Sequence, residues 1–335
     1  MKLTILGAGC WGSVLTKLLA DNFEEVCLWN KKEFTPVDFF KTRKLSRPFE
    51  ISIPEKVEIE TDLEKAVKGA KIILYVVSTS AIREVSEELK KYVTKDQILV
   101  NASKGLELGT FKRMSEIIKE IMPENQIAVL SGPTLAIEVL KGLPTAASIA
   151  CSSTETASFL QDCFYVKDRF RLYSNPDMIG VELGGSLKNV IAIASGFIDA
   201  MKLGDNTRGT LLTRGMAEIV RIGMALGANP STLYGLSGMG DLIATASSPL
   251  SRNYRVGFML GEGKKLDDIL ESLGSVAEGV KTAKAVCGLV KKLGISAPLS
   301  EMIYEVIHTD ITPQEAVSKL MNRSLKQEEQ YYFGS

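Results

Sequence analysis

Histidine is nearly absent from this chain of 335 residues, with His308 the only one. It lies near the C-terminal end, far in sequence from any expected strand end, and is not expected to act in catalysis. Cysteine is sparse as well. Cys10, Cys27, Cys151, Cys163 and Cys287 are scattered, odd in number and without a CxxC pair, which excludes a disulfide scaffold or a zinc site and fits a reduced compartment. They read as small core residues, and no metal is expected. An excess of charge of either sign is also missing: Lys+Arg and Asp+Glu both number 40, for a formal net charge of zero. A duplex nucleic acid, which needs a strong basic field, is therefore not an expected partner, whereas an anionic small molecule needs only a local basic cluster. Long hydrophobic runs are lacking too. The opening Met-Lys-Leu-Thr-Ile-Leu-Gly-Ala-Gly is interrupted by glycine too soon for a signal peptide, and the apolar stretch 72–77 cannot span a bilayer. The expectation is a soluble, cytoplasmic protein that is not integral to a membrane and has no internal repeat or low-complexity tract.

What is present is enough apolar material, 45% of residues, and enough length to build two domains. Short apolar runs at 3–6, 26–29, 72–77, 98–101 and 127–130 read as strands. Amphipathic segments such as 81–92 and 110–121 lie between most of them, which predicts repeated βαβ units on a parallel sheet. Residues 145–151 and 170–173 read as two further strands, while 32–60 is polar and irregular, a loop with room for a short helix. After Ser174-Asn175-Pro176 the pattern changes to helical segments at 180–201, 207–226, 267–273, 280–293, 300–307 and 313–320. The predicted organisation is a dinucleotide-binding domain at 1–176, a helical substrate-binding domain at 177–325 and a frayed tail at 326–335.

Gly7-Ala8-Gly9-Cys10-Trp11-Gly12 follows the first strand and opens a helix through Leu15, Leu18 and Leu19. This is the context a GxGxxG motif requires. Gly7 permits the tight turn, Gly9 lets a pyrophosphate approach the backbone, and Gly12 lets the helix pack closely on the sheet. The phosphates would sit at the helix N-terminus, where free N–H groups favour anions. An NAD-selective site places an acid about twenty residues on, at the end of the second strand. Here that end reads Trp29-Asn30-Lys31-Lys32, so NADP(H) is preferred over NAD(H), with the two lysines meeting a 2′-phosphate. The alternatives are that the lysines are solvated loop charges, or that Glu33 reverses the preference and NAD(H) is used.

Hydride chemistry on a secondary alcohol needs a group to hold the hydroxyl proton, and with the histidine set aside lysine is the candidate. Lys104 follows a strand, at the carboxyl end of the sheet where doubly wound folds collect ligands. Lys188 lies in an apolar helix, where partial desolvation would lower its pKa toward the range useful for proton transfer; the alternative is a snorkelling surface lysine. Ser131-Gly132-Pro133-Thr134 ends a strand and starts a helix at 134, either as a ligand-binding turn or as an ordinary cap. Arg252, in Ser251-Arg252-Asn253, offers bidentate donors suited to phosphate, or else is a solvated arginine at a polar helix start. The glycines around Asp241 let backbone crowd a ligand, unless Asp241 is itself a cap.

The blocks GAGCWG at 7–12, ASKGLE at 102–107, SGPT at 131–134, GLPTA at 142–146, YSNPDMIGVELGGSLKNVIAIASG at 173–196, TRG at 213–215, SGMGDL at 237–242, SRNYRVG at 251–257 and VAEGVKT at 276–282 together resemble the bacterial NAD(P)-dependent glycerol-3-phosphate dehydrogenase family. The resemblance covers nearly the whole chain in matching order, and is weakest at 32–60. It implies an α/β fold in which an N-terminal Rossmann-type doubly wound sheet precedes an all-helical C-terminal domain of the 6-phosphogluconate dehydrogenase type, with the active site in the cleft between. It implies Lys188 as the general acid/base and Lys104 as a residue touching both cofactor and substrate. Gly132, Thr134, Asp241, Ser251, Arg252 and Asn253 match substrate-contacting positions. Cys10, which stands where serine is common, matches a cofactor-contacting position together with Trp11, Lys31, Ala136, Val276 and Glu278; Arg252 is assigned to both groups. The substrate implied is a phosphorylated triose, the physiological role is supply of glycerol 3-phosphate for phospholipid synthesis, and a homodimer is compatible with it. Two other readings stay open: a sister β-hydroxyacid or 6-phosphogluconate-type dehydrogenase, which the SRN block argues against, and a non-catalytic NAD(P)H-sensing module, which would have no need of a proton donor.

Overall fold

The computed structural model describes the chain except Pro36, Val37, Arg47, Gly274, Ser275, Val276, Asp310 and residues 325–335, and the side chain of Pro313. Val276 and the expected tail at 326–335 thus lie outside the described residues. The chain forms two compact units, one of Met1–Ser103 and Arg113–Met178, the other of Lys104–Lys112 and Ile179 onward.

The first unit contains β1 (Lys2–Leu6), β2 (Glu25–Trp29), β3 (Lys44–Leu45), β4 (Ile51–Ser52), β5 (Val57–Glu60), β6 (Ala70–Tyr75), β7 (Ile98–Asn101), β8 (Gln126–Ser131), β9 (Thr145–Cys151) and β10 (Phe170–Asn175). Its helices are α1 (Cys10–Leu19), α2 (Phe39–Thr42), α3 (Leu63–Val67), α4 (Ile82–Leu89), α5 (Met114–Ile121), α6 (Ala136–Leu140) and α7 (Thr154–Phe164). Eight strands form one sheet in the order β10-β9-β8-β7-β6-β1-β2-β5, while β3 and β4 pair as a separate hairpin. The central strands are apolar throughout because helices cover both faces of the sheet; Leu3, Thr4, Ile5 and Leu6 of β1 are all fully buried.

The expected parallel arrangement is found from β5 to β8 and fails beyond it. β9 runs antiparallel to β8, with Leu130 opposite Ile149, and β10 then runs parallel to β9. An apolar run announces a strand but carries no information about its direction. The described residues of 32–60 include a strand that was not expected, since Val57–Glu60 pairs in parallel with β2 at the sheet edge. As a four-residue edge strand with two glutamates, it lacks the apolar continuity by which the inner strands are recognised. The helix α7 was not foreseen either, although its buried Ala157, Leu160 and Phe164 follow helical spacing.

In the second unit α8 (Met178–Ala200) is a 23-residue helix, long and apolar enough to cross a membrane, but 94% of its most apolar window is buried inside the protein. A helix apolar all round belongs in a core. Around it stand α9 (Gly204–Ala225), α10 (Pro230–Leu233), α11 (Asp241–Ala246), α12 (Arg252–Gly261), α13 (Leu266–Leu273), α14 (Glu278–Leu293), α15 (Pro298–His308) and α16 (Pro313–Met321). Leu187 and Ile191 of α8 share one apolar core with Ile219 of α9, Val256 of α12, Val286 of α14 and Ile303 of α15. The α8 and α12 backbones nearly touch, because a Cβ on Gly257 would lie 1.8 Å from the Ile193 carbonyl oxygen. Lys104–Lys112 joins this core through buried Leu106 and through Phe111, whose ring abuts Gly288.

One buried carboxylate in this unit was not anticipated. Glu218 of α9 accepts hydrogen bonds from Leu299 N at 2.7 Å, Ser300 N at 3.0 Å and Ser300 Oγ at 2.9 Å, and so caps α15. Burial pushes its carboxyl from the usual 4.5 up to about 7, against the opposing pull of those donors. The folded state therefore holds the proton more tightly than the unfolded chain. The associated stability is complete below pH 4.5, falls as the pH rises through about 7, and amounts to about 3 kcal/mol at most. Urea denaturation of the wild type and Glu218→Gln at several pH values checks this: the wild type is expected to lose stability relative to the variant between those limits. A difference independent of pH would exclude titration of this group.

Candidate active site

At the glycine turn of the first unit, Gly7 has φ +113°, and a Cβ there would stand 2.8 Å from the Val76 carbonyl oxygen. A Cβ on Gly12 would lie 1.9 Å from Gly7 O, so the first turn of α1 packs against the turn itself. Gly9 differs, with nothing within 4 Å of the position a Cβ would take. It is the N-cap of α1 and makes no side-chain cap bond, so the helix terminus presents backbone N–H groups without a competing side-chain acceptor. These features fit a dinucleotide pyrophosphate. Cys10 and Trp11 are half-buried and pack on the core of this unit, as does Ala136, the first residue of α6, which neighbours α1.

The end of β2 is tied to the same turn. Gly7 N donates to Trp29 O at 2.8 Å and Ala8 N to Asn30 Oδ1 at 3.2 Å, while Asn30 Nδ2 donates to Thr35 Oγ1 at 3.0 Å. Asn30 is thus a structural brace. Lys31 is not a freely solvated charge, since its ammonium is paired with Glu84 of α4 and lies 3.9 Å from Glu33. At the end of β8, a Cβ on Gly132 would come within 2.8 Å of Ala147 Cα. The expected helix start at Thr134 is corrected to Ala136, with Leu135 as N-cap; Thr134 Oγ1 donates to Gly132 O at 3.1 Å instead of capping. A helix start is defined by backbone dihedrals, and Leu135 still has extended ones.

The second unit brings three of the predicted residues together. Lys188, on α8, is only 6% exposed, which overturns the snorkelling alternative. Its Nζ donates to Asp241 Oδ1 at 2.9 Å and to Thr245 Oγ1 at 2.5 Å. Lys104 Nζ donates to the other oxygen, Oδ2, at 2.7 Å. One buried carboxylate therefore bridges two ammonium groups. Asp241 is not a cap, because Gly240 holds that position and Asp241 is the first residue of α11. A π-helical turn at Leu236–Gly240 delivers it, a geometry often found at functional sites. Burial pushes the Lys188 amine from 10.5 down to about 8, with the Lys104 charge acting in the same direction and Asp241 opposing both.

Nearby, Ser251 Oγ accepts from Tyr254 N at 3.2 Å and caps α12. Arg252 is exposed at the first position of that helix. Asn253 is buried, its Nδ2 donating to Asn189 Oδ1 at 2.8 Å and its Oδ1 accepting from Gly279 N at 3.0 Å. It ties the first turn of α12 to α8 and to the first turn of α14, where Glu278 stands. Thr245 and Asn189 were not singled out in the sequence. Thr245 was findable, four residues after Asp241 on one helix face; the Asn189–Asn253 pair spans 64 residues and had no local signal. Gly132 and Thr134 belong to the first unit, and the lysine cluster to the second. Among the described residues no three His, Cys, Asp or Glu side chains gather in a way that could hold a metal ion.

A doubly wound sheet with a glycine-turn fingerprint, followed by helices carrying a buried lysine–carboxylate pair, defines the class of two-part nicotinamide-dependent dehydrogenases. Within it, this chain belongs to the NAD-dependent glycerol-3-phosphate dehydrogenase family: the family's N-terminal profile matches residues 2–157 and its C-terminal profile residues 177–318. It is 46% identical over 331 residues to a glycerol-3-phosphate dehydrogenase [NAD(P)+] of Geobacillus thermodenitrificans, covering 98% of this chain and 96% of that one. Identity to the like-named protein of a Thermoanaerobacter species is 43% over 328 residues, covering 98% and 99%. The crystal structure of a glycerol-3-phosphate dehydrogenase from Coxiella burnetii superposes with a TM-score of 0.90 at 36% identity, covering 96% of this chain and 99% of that one.

Proposed function

We propose that this chain catalyses the reversible NAD(P)(H)-dependent interconversion of dihydroxyacetone phosphate and sn-glycerol 3-phosphate, running physiologically toward glycerol 3-phosphate for phospholipid synthesis. The observation that carries this reading is the bonding of Lys188. An ammonium has three N–H donors; Asp241 and Thr245 take two, leaving the third for a substrate oxygen. When bound, the nicotinamide cofactor supplies or accepts the hydride at C2. In the reductive direction Lys188 Nζ polarises the ketone and passes its proton to the C2 oxygen, and in the oxidative direction it takes that proton back. An amine that titrates at about 8 serves both directions near neutral pH. Asp241 supports the charged form of Lys188 and orients both Lys188 and Lys104 through its two oxygens. Arg252 anchors the phosphate with help from Ser251, Asn253 and the first turn of α12, so that binding energy from this remote group fixes C2 against Lys188. Gly132 and Thr134 are further substrate-contacting residues in this reading.

Gly7, Gly9, Cys10, Trp11 and Gly12 hold the pyrophosphate of the dinucleotide, with Ala136 beside them, and Lys104, Arg252 and Glu278 are further cofactor-contacting residues in this reading. Lys31, with Lys32, favours a 2′-phosphate and hence NADP(H). The test is spectrophotometric, following NADPH or NADH oxidation with dihydroxyacetone phosphate, with 2-keto acids and with 3-keto acids. Turnover confined to the phosphorylated triose is expected. Turnover of the acids instead would assign the chain to the sister dehydrogenases, and nucleotide binding with no turnover would make it a sensor.

A further inference from the structure

A nicotinamide dinucleotide seated on the glycine turn carries its adenosine ribose to the end of the second strand, where an acid accepts the ribose hydroxyls of NAD and a cation meets the 2′-phosphate of NADP. In this chain Asn30, the first residue after β2, is committed to Ala8 N and Thr35 Oγ1 and serves neither purpose. Lys31 is the next residue, and its ammonium is engaged by Glu84, which lies 53 residues away in sequence on α4. Glu33 stands 3.9 Å from the same nitrogen, and Glu88, one turn beyond Glu84, adds to the negative field. The lysine side chain is 21% exposed and that of Glu84 is 68% exposed, so the carboxylate can swing into water at little cost while the cation stays where it is.

We propose that Glu84 sets the cofactor choice of this enzyme. Its carboxylate supplies from α4 the acceptor that other dinucleotide sites place at the end of the second strand. It holds Lys31 and accepts a ribose hydroxyl when NAD(H) binds, and it must release Lys31 when the 2′-phosphate of NADP(H) arrives. The cation and the acid occupy one spot and compete, so the chain takes both nucleotides and its preference for NADP(H) is held down. The proposal rests on the dehydrogenase reading and adds the residue that tunes it.

Full-length wild type, Glu84→Gln, Lys31→Met and the double variant are titrated with NADPH and with NADH, without substrate, by the fluorescence of the reduced nucleotide. Unliganded melting temperatures serve as a check that the variants fold. Glu84→Gln is expected to tighten NADPH about fivefold and to weaken NADH about twofold, the size of one part-exposed charge interaction. Lys31→Met is expected to weaken NADPH about fivefold, and without Lys31 the gain from Glu84→Gln shrinks to about twofold. Equal changes for the two nucleotides, no tightening of NADPH, or an undiminished gain without Lys31 would overturn the role of Glu84 and leave the enzyme's reaction untouched. Failure of the wild type to bind either nucleotide would overturn the dehydrogenase reading and this proposal together.

Discussion

Lys188→Ala is expected to lower kcat for dihydroxyacetone phosphate reduction about a thousandfold, the usual range for loss of a positioned proton donor, with little change in KM. Arg252→Ala should do the opposite, chiefly raising KM, because a phosphate anchor acts on substrate binding and reaches the chemical step only through orientation. The two kinetic constants therefore separate the roles, and the reverse pattern would exchange them. A pH profile adds an independent readout. Lys188 is held near 8 by burial, and it is charged below that value. Reduction consumes its proton, so the reductive kcat should be level at acid pH and decline as the pH rises through about 8. Oxidation of glycerol 3-phosphate needs the neutral amine and should rise through the same point. Steady-state rates in both directions across this range decide the matter. A Lys188→Ala enzyme within tenfold of the wild type, or wild-type limbs that do not mirror each other, would remove this amine from the proton path.

What could be read in the sequence divides by the distance over which a signal acts. The glycine turn is local: Gly7 holds a φ of +113°, and a Cβ on Gly12 would strike the carbonyl oxygen of Gly7 within the same motif. Lys188 was legible because a lysine among alanines, isoleucines and glycines of one helix must be desolvated if that helix is a core. The strand β5 was not legible, because four residues with two glutamates at a sheet edge carry no apolar run. Partners were the hardest part. Nothing near Lys31 in sequence announces Glu84, so Glu33 is the one acid that the sequence itself offers close to the end of β2. Nothing near Lys104 announces that Leu106 and Phe111 pack in the helical core, a placement that lets the lysine share a carboxylate with Lys188.

That shared carboxylate makes Asp241 the second site of large effect. It is 1% exposed and touches two ammonium groups at 2.7 and 2.9 Å. Asp241→Asn removes the only carboxylate recorded in contact with Lys188 among the described residues, and leaving a buried charge uncompensated costs about 3–5 kcal/mol. The cost has a sign in pH. Asp241 supports the charged form of Lys188, while burial and the Lys104 charge oppose it, so without Asp241 the amine must titrate below 8 and shed its proton in the folded state. The stability deficit is therefore greatest in acid, where the lysine is forced to remain charged, and shrinks as the pH rises and neutralises it. The reductive limb of the rate profile should move toward acid by the same cause. At neutral pH kcat should fall about a hundredfold, because most of the amine then lacks the proton it must give. Denaturation midpoints of wild type and variant at several pH values, set beside their rate profiles, test both halves. A variant as stable as the wild type in acid would mean that the two lysines do not need this carboxylate. A rate profile left in place would mean that Asp241 does not govern the protonation of Lys188.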